Sequence, residues 1–386
     1  MTMLGNGSSV GIVFQGGGAL GAYQAGVYGA LAKAGHTPDW IAGISIGAIN
    51  AAIIAGNAPE QRMERLRAFW DLVSSRVAVS SLFPDGFMRS WFNEVSAGVV
   101  AAAGIPGFFE PRMPPAILSW PGTLEAISYY DTAPLHKTLL DLIDFERLNS
   151  GQVRLSVGAV NVLTGNFAYF DTQDCTIGPE HIMASGALPP AFAPVIIGGE
   201  PWWDGGLVSN TPLQHVLDHR KAGDMTIFQV DLFSARGAMP KTMADVAQRE
   251  KDIRFSSRTR LNTDMQKELQ RLRDAAQRLS AKLPADLKDD PDARLLAACG
   301  GQGAVTIMHL INRGEAYETQ SKDYEFSRQT VNGHWAAGAA DVEKSLAHRD
   351  WTNREPHNLC RRIKAHWLCI EQGTGKGCRV MAFKPA

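Results

Sequence analysis

The chain has 386 residues, 45% of them hydrophobic, which is enough apolar material for the core of one large or two moderate α/β domains. Its 38 Lys and Arg residues nearly balance 39 Asp and Glu residues, so the formal net charge of -1 gives no general attraction for nucleic acid. Residues 1–9 lack a basic and apolar leader, and no later run of about 18 apolar residues follows. We therefore predict a cytoplasmic protein with neither a signal peptide nor a transmembrane helix.

The five cysteines do not form a pattern typical of a metal site. Cys175 and Cys299 are isolated, and Cys360, Cys369 and Cys378 follow one another at nine-residue intervals, unlike the short Cys-x-x-Cys pairs of zinc sites. We predict neither a metal centre nor a fold held together by disulfides.

The first predicted βα unit has a glycine-rich joint. Residues 10–14 form an apolar strand, the run Gly16-Gly17-Gly18 follows, and residues 19–34 are expected to form a helix. Glycines at the start of a helix expose unpaired N–H groups at the positive end of its dipole, where an anion binds. The anion is either a phosphate or dinucleotide, or the oxyanion of an acyl-transfer intermediate. The nucleotide alternative lacks a Lys-Ser/Thr ending, and Asp39 precedes the second strand instead of following it.

The second βα unit presents a serine at a sharp turn. The apolar stretch 40–50 is interrupted at Ser45, with Gly43 two residues before it and Gly47 two residues after it. These glycines allow a tight bend from strand to helix, which exposes the hydroxyl as a nucleophile. A serine that only caps the helix at 48–55 is the alternative. Because parallel strands end at one edge of a sheet, Ser45 should lie beside the glycine-rich loop, which favours an oxyanion hole.

The next part of the chain contains a long insertion. Residues 60–74 have apolar side chains at helical spacing and should form a core helix. Residues 83–130 then combine aromatic side chains with prolines, so we expect little regular secondary structure there. Such an insertion is either a lid or substrate channel, or an irregular segment packed on the core. An apolar lining would suit an acyl substrate.

A second candidate motif follows a predicted hairpin. Residues 154–161 and 166–171 have the pattern of two paired strands, and residues 179–185 that of a short helix. The run Asp204-Gly205-Gly206 comes next and places a carboxylate on a tight turn that another group approaches closely. An ordinary Asp-Gly turn is the alternative.

The C-terminal part predicts a helical extension. Residues 225–232 and 305–311 read as buried strands, and residues 327–346 as a closing helix. Residues 242–283 are charged and carry one narrow apolar stripe, which predicts one or two helices across the surface. We interpret this stripe as part of a solvated helical face, with a membrane-surface role as the alternative.

We divide the chain accordingly. Residues 1–232 are the expected catalytic domain, including the insertion 83–130, and residues 233–346 the helical extension packed on it. Residues 347–386 are predicted to be a poorly ordered tail.

The three motifs together suggest serine hydrolysis. This chemistry needs a nucleophile, a base and donors for the oxyanion. His215 and His219 fall on a predicted helix and His309 inside a strand, so no histidine has a convincing catalytic position. We therefore expect Asp204 itself to take the proton from Ser45, since a carboxylate in a site of low polarity becomes more basic.

In order along the chain, Gly16-Gly17-Gly18-Ala19-Leu20-Gly21, Gly43-Ile44-Ser45-Ile46-Gly47, the run 184–195 and Asp204-Gly205-Gly206 resemble the patatin-like phospholipase family. The resemblance covers about residues 9–232, and the rest is similar to a bacterial subgroup with a C-terminal extension. It implies a three-layer α/β/α fold with a mostly parallel central sheet. It also implies hydrolysis of acyl esters of lipids through a Ser-Asp dyad, without cofactor, metal or nucleic acid.

Transferred to this chain, the resemblance makes Ser45 the nucleophile and Asp204 the base, with the N–H groups of Gly16, Gly17 and Gly18 as the oxyanion hole. Many family members have a basic residue where this chain has Leu20. Phospholipids, lysophospholipids and neutral acyl esters therefore all stay open as substrates.

Two other functions also stay open. One is a Rossmann-like nucleotide-binding protein, which the glycine-rich loop alone would allow. The other is a membrane-associated protein with a vestigial site. Peripheral contact with a membrane is compatible with the hydrolase as well.

Overall fold

The computed structural model describes residues 8–77, 86–221, 223–287, 289–299, 303, 305–314, 321–352 and 367–368. The strands are β1 (Ser9–Phe14), β2 (Trp40–Gly43), β3 (Glu110–Pro111), β4 (Tyr130–Asp131), β5 (Arg154–Asn161), β6 (Phe167–Asp171), β7 (Val195–Ile197), β8 (Glu200–Asp204), β9 (Met225–Asp231), β10 (Val305–Ile311) and β11 (Trp367–Leu368). The α-helices are α1 (Ala22–Lys33), α2 (Ile46–Ala55), α3 (Arg62–Val73), α4 (Gly86–Ala103), α5 (Ala133–Leu142), α6 (Phe145–Asn149), α7 (Pro179–Ser185), α8 (Leu213–Asp218), α9 (Met243–Ser280), α10 (Pro291–Cys299), α11 (Arg328–Ala347) and α12 (Arg349–Thr352). Short 3-10 helices lie at Gly18–Gly21, Ala116–Leu118, Leu124–Ile127, Gly205–Leu207 and Ala285–Leu287.

One mostly parallel sheet organises the molecule. Its strand order is β11-β10-β9-β1-β2-β5-β8-β7, and β6 also pairs with β5. The pairs from β11 to β5 are parallel, whereas β6, β7 and β8 make an antiparallel end. Strands β3 and β4 form a separate two-stranded ribbon. Because Phe14 at the end of β1 pairs with Gly43 at the end of β2, the loops after both strands emerge side by side.

Alternate side chains of the central strands enter two cores, one on each face of the sheet. Ile12, Phe14 and Ile41 pack with residues of α1, α2, α3 and α11. Val13 and Ala42 point the other way and pack with residues of α8. Successive side chains of a strand alternate between faces, so one apolar strand supplies both cores. The expected three-layer α/β/α architecture is confirmed.

The predicted elements around the motifs are present. The hairpin at 154–171 is the antiparallel pair β5 and β6, and the closing helix at 327–346 is α11, which Ser327 caps. The helix expected at 19–34 begins as the 3-10 turn Gly18–Gly21 and continues as α1.

The insertion at 83–130 contains more regular structure than we expected. Helix α4 occupies Gly86–Ala103, so the expectation of sparse secondary structure was wrong for this part. Its sequence contains no proline and ends in three alanines, which favour helix; Pro84 precedes it, and the other prolines of the insertion follow from Pro106 onward. Residues 78–85 lie outside the described residues.

The long charged segment forms the single helix α9. Its predicted apolar stripe is not buried at the positions whose side chains are described: exposed residues are Val246, Ile253, Leu272 and Leu279. Helix α9 contacts the first part of the chain through Phe255, whose carbonyl oxygen accepts a hydrogen bond from the Gln15 side chain at 3.1 Å.

The extension is continuous with the first part of the fold. Strand β10 pairs with β9 from Val305↔Met225 to Ile311↔Asp231. Helix α11 packs on α1 at backbone distance, since a Cβ added to Gly26 would lie 1.9 Å from the carbonyl oxygen of Trp335. Of the tail 347–386, α12 and the short strand β11 are described, and β11 extends the sheet beside β10. Cys360, Cys369, Cys378 and the other tail residues lie outside the described part.

None of the helices in the described residues is both long and apolar enough to cross a membrane.

Candidate active site

Ser45 stands at a strained turn between β2 and α2. Its φ of 55° and ψ of -124° make it the one described non-glycine residue with a positive φ. L-residues avoid this conformation, and such strain is held by tight surroundings. Those surroundings require glycine, because a Cβ at Gly43 would lie 2.3 Å from the carbonyl oxygen of Gly47. A Cβ at Gly47 would lie 2.7 Å from the carbonyl oxygen of Phe14.

Ser185 fixes the turn from the other side. Its fully buried hydroxyl accepts a hydrogen bond from the Ser45 backbone N–H at 3.0 Å. Ser185 is the last residue of α7, so this helix ends at the candidate nucleophile. The surrounding run 184–195 is one of the motifs behind the family resemblance, but no role for Ser185 was predicted from it.

Asp204 lies at the end of β8, and the Ser45 side chain is among the neighbours that lower the pKa of its carboxyl group. The carboxylate is 3% exposed, and its Oδ1 accepts the N–H of Gly206 at 2.7 Å. Gly205 must be glycine here, because a Cβ would lie 2.6 Å from the carbonyl oxygen of Gly158 in β5. The two motifs are far apart in the chain, and the sheet brings them together.

The surroundings make Asp204 a stronger base than an exposed aspartate. Burial raises the pKa of Asp204 to about 7, and the hydrogen bonds from Gly206 and Ser45 oppose part of this increase. Desolvation disfavours the charged form of a carboxyl group, which is why its proton affinity rises. Near pH 7 such a group can both accept and return a proton.

The glycine-rich loop lies against Ser45. A Cβ at Gly16 would be 3.1 Å from the Cβ of Ser45. The Gly16 N–H donates to the carbonyl oxygen of Asn210 at 3.3 Å, so this amide is already engaged. In the described part of the chain, the amides of Gly17 and Gly18 donate no hydrogen bond. Of the three predicted oxyanion donors, Gly16 thus has an amide with an intramolecular acceptor, whereas Gly17 and Gly18 stay candidates with amides that donate no hydrogen bond among the described residues.

Two residues that the sequence analysis did not select hold this loop. The Asn210 side chain donates to the carbonyl oxygen of Gly16 at 3.0 Å, so Asn210 binds both polar groups of one peptide residue. Gln15 is fully buried, and its Oε1 accepts the backbone N–H groups of Leu232 and Phe233 at 2.6 and 3.1 Å. The loop is therefore tied to the end of β9 and to the segment after Asp204.

Leu20 is fully buried in the main core. Its side chain therefore packs within the core and is not presented at the surface of the loop.

The histidines named in the sequence analysis have other partners. His215 contacts Asp171, which also accepts hydrogen bonds from Arg154 and Ser156. His309 contacts Asp231 at the end of β9. Among the described residues, no three His, Cys, Asp or Glu side chains are grouped so that they could hold a metal ion.

Two family models match parts of this chain. A family model described as patatin-like phospholipase matches residues 12–217, more than half of the chain. A second, described as patatin phospholipase, matches residues 253–358 in the extension. No curated protein matches the sequence.

Solved structures with a related fold include VipD from Legionella pneumophila, at 14% identity and a TM-score of 0.38. The match covers 88% of this chain and 66% of VipD. The type III effector protein ExoU matches at 14% identity and a TM-score of 0.26, over 86% of this chain and 53% of ExoU. The chain thus spans less than two thirds of either protein.

Proposed function

Because this chain belongs to the patatin-like phospholipase family, we propose that it hydrolyses carboxylic esters of lipids through a Ser45–Asp204 dyad. The observation that carries the proposal is that a serine at a strained turn and a buried aspartate of raised pKa are neighbours in the fold. Perturbed carboxyl groups paired with a nucleophile are typical of catalytic sites.

In the acylation step, Ser45 Oγ attacks the ester carbonyl carbon while Asp204 takes the hydroxyl proton. The carbonyl oxygen becomes an oxyanion that accepts the N–H groups of Gly17 and Gly18, which are fixed in position beforehand. The intermediate then collapses, the ester C–O bond breaks, and the proton on Asp204 passes to the leaving alcohol. In the second half of the reaction, water attacks the carbonyl carbon of the acyl-serine while Asp204 takes a proton from the water. The bond between this carbon and Ser45 Oγ then breaks, Ser45 takes the proton back from Asp204, and the carboxylic acid is released.

Two variants and a covalent probe test this proposal. The wild type should react with a fluorophosphonate probe and cleave p-nitrophenyl acyl esters. Ser45→Ala should lose both, and Asp204→Asn should lose turnover by about 100-fold to 10,000-fold, the usual contribution of a general base. A wild type that neither reacts nor cleaves any such ester would refute the hydrolase and favour a vestigial site. A thermal shift with a dinucleotide in that case would favour the nucleotide-binding alternative.

We also propose that the enzyme meets its substrate at a lipid surface through residues 112–129. This loop is closed at its base, where the Arg112 N–H donates to the carbonyl oxygen of Tyr129 at 3.1 Å and the Arg112 side chain donates to Ser128 at 2.7 Å. No charged residue occurs from Met113 to Leu124. Large exposed apolar side chains of the loop are Met113, Ile117, Leu118, Trp120, Leu124, Ile127 and Tyr129.

The position and chemistry of the loop favour lipid as the surface it contacts. The Tyr129 N–H donates to the carbonyl oxygen of Pro190. Three residues earlier in the same segment, the carbonyl oxygen of Ala187 accepts the N–H of Asp204. The loop is therefore attached to the segment that positions the candidate base. An exposed apolar patch that contains Trp120 and has no charge from Met113 to Leu124 is suited to the interface of a zwitterionic bilayer.

A double variant separates surface binding from chemistry. Ile117 is 90% exposed and Trp120 84% exposed, so Ile117→Ser with Trp120→Ser should leave the fold intact. We expect weaker cosedimentation with phosphatidylcholine vesicles and unchanged hydrolysis of a soluble ester. Leu163→Ser is the matched control, since Leu163 is 74% exposed in the hairpin turn away from this loop. Unchanged vesicle binding, or a wild-type dimer that the double variant dissociates, would contradict the lipid contact.

We further propose the division into a catalytic part at 1–232, an extension at 233–346 and a tail.

A further inference from the structure

The C-terminal extension reaches the glycine-rich loop through residues 321–327. The backbone carbonyl oxygen of Asp323 accepts the N–H of Ala19 at 2.9 Å. The same oxygen lies so close to Gly18 that a Cβ there would be 2.1 Å from it. Gly18 has a φ of 54°, in the left-handed region that glycine adopts without strain. The contact therefore depends on glycine on one side and on the backbone of Asp323 on the other.

Two ion pairs hold this segment on α9. Lys251 lies 2.7 Å from the Asp323 carboxylate, and Lys322 lies 2.8 Å from Asp252. Consecutive residues of the helix thus pair with consecutive residues of the segment. Burial raises the pKa of Asp323, while the charge and hydrogen bond of Lys251 lower it in part. A buried carboxylate needs such a partner, so Asp323 has one stable position only while Lys251 is present.

The other ends of this contact are fixed as well. Gln15, immediately before the glycines, donates through its side chain to the carbonyl oxygen of Phe255 in α9 at 3.1 Å. Glu325 accepts hydrogen bonds from the Ser96 hydroxyl and from the Ser327 N–H at 2.6 and 3.0 Å. The glycine-rich loop, through Gln15, and residues 321–327, through their two ion pairs, are thus both attached to α9.

We propose that Asp323 is a positioning residue of the oxyanion hole and that the Lys251–Asp323 pair holds it in place. Its carbonyl oxygen accepts the hydrogen bond of the Ala19 N–H and fixes Gly18 in the left-handed conformation. This leaves the Gly17 and Gly18 amides for the oxyanion. The inference rests on the proposed hydrolase function and adds that the extension completes the active site.

The effect should appear in kcat and not in KM, because the oxyanion forms only in the transition state. Asp323→Asn keeps the backbone carbonyl group and removes the ion pair, and Lys251→Met removes it from the other side. We expect kcat for a p-nitrophenyl acyl ester to fall about tenfold or more in each, less than the full loss of an oxyanion donor, with KM within about twofold. Lys251→Arg, which keeps the cation, should recover most of kcat.

Asp252→Asn is the matched control. It removes the neighbouring ion pair of similar length and burial, whose acid lies on α9 and not at the glycine-rich loop. We expect a similar fall in Tm with kcat within about twofold of wild type. Fluorophosphonate titration of active sites normalises every kcat to folded enzyme, so partial unfolding of a variant does not enter the comparison.

The possible outcomes distinguish failure of the positioning role of Asp323 from failure of the proposed hydrolase function. A wild type without esterase activity removes the hydrolase itself. An active wild type, with Asp323→Asn and Lys251→Met at wild-type kcat per titrated site, overturns the positioning role alone. Equal losses of kcat in Asp252→Asn and Asp323→Asn would also overturn it, since the segment would then act only through general stability.

Discussion

Replacing Asp204 by Asn should remove activity and stabilise the protein at the same time. The pKa of Asp204 rises from 3.8 to about 7, which corresponds to about 4 kcal/mol of unfavourable free energy for the buried charge above pH 7. Because the folded state holds the proton more tightly than the unfolded state, the stability from this group is fully present below pH 4. It is lost as the pH rises to about 7. Asn has no such charge and can still accept the Gly206 N–H.

Urea unfolding of wild type and Asp204→Asn measures the difference in their free energy of unfolding, with its sign and its pH dependence. Between pH 5 and pH 8, the stability of Asp204→Asn relative to wild type should increase by about 2–3 kcal/mol, the part of the shift that titrates in this range. Other titrating groups cancel in the difference. The same pKa predicts that kcat/KM of wild type rises about tenfold per pH unit below pH 7 and levels off above it.

Asp171→Asn is a control of opposite sign. Burial raises the pKa of Asp171, but hydrogen bonds from His215, Arg154 and Ser156 outweigh it and lower the pKa below its usual range. Its stabilising effect is present above about pH 4 and is lost at lower pH, so this variant should be less stable than wild type by about 3–5 kcal/mol at pH 7. If Asp204→Asn is destabilised at pH 8 as Asp171→Asn is, or its difference from wild type does not change with pH, the account of Asp204 fails.

Three further outcomes follow from the contacts around the site. Ser185→Ala leaves the Ser45 amide without its acceptor and should lower the free energy of unfolding in urea by about 1–3 kcal/mol, together with kcat. A wild-type kcat would show that the Ser45 turn keeps its shape without the Ser185 hydroxyl. Gly47→Ala places a Cβ 2.7 Å from a backbone oxygen of Phe14 and should destabilise by about 2–3 kcal/mol, visible as a lower Tm. A fragment ending at residue 232 loses β10 and α11 and should aggregate, whereas a monodisperse, active fragment would show that the catalytic part folds alone.

The local parts of the fold and site could be predicted from the sequence. Glycine spacing around Ser45 predicted a strand-to-helix turn because the backbone permits few other shapes there, and the structure has that turn. Alternating and helical apolar patterns predicted β1, β2, β5, β9 and α11. The ordered motifs suggested the family resemblance, and the family model that matches residues 12–217 confirmed the family.

Contacts between distant parts of the chain could not be predicted. Asn210 and Ser185 hold the glycine-rich loop and the Ser45 turn through hydrogen bonds to backbone groups. Neither residue belongs to a sequence pattern that indicates which distant backbone group it contacts. The insertion was misjudged because its prolines, Pro84 and those from Pro106 onward, lie outside α4 and do not interrupt the helix. The apolar stripe at 242–283 predicted helix α9, and the stripe residues Val246, Ile253, Leu272 and Leu279 are exposed, as expected for a solvated helical face.

The boundary at residue 232 separates two sequence patterns more clearly than it separates two structures. Asn210, from the first part, binds the Gly16 end of the glycine-rich loop, and Asp323, from the extension, binds the Gly18 end. Gly17 lies between these two anchors, so the positions of the candidate oxyanion donors depend on both parts of the chain. A loop held at both ends loses less entropy when an oxyanion binds, which is the physical basis of preorganised stabilisation. We therefore interpret residues 12–217 and 253–358, which match separate family models, as one catalytic unit.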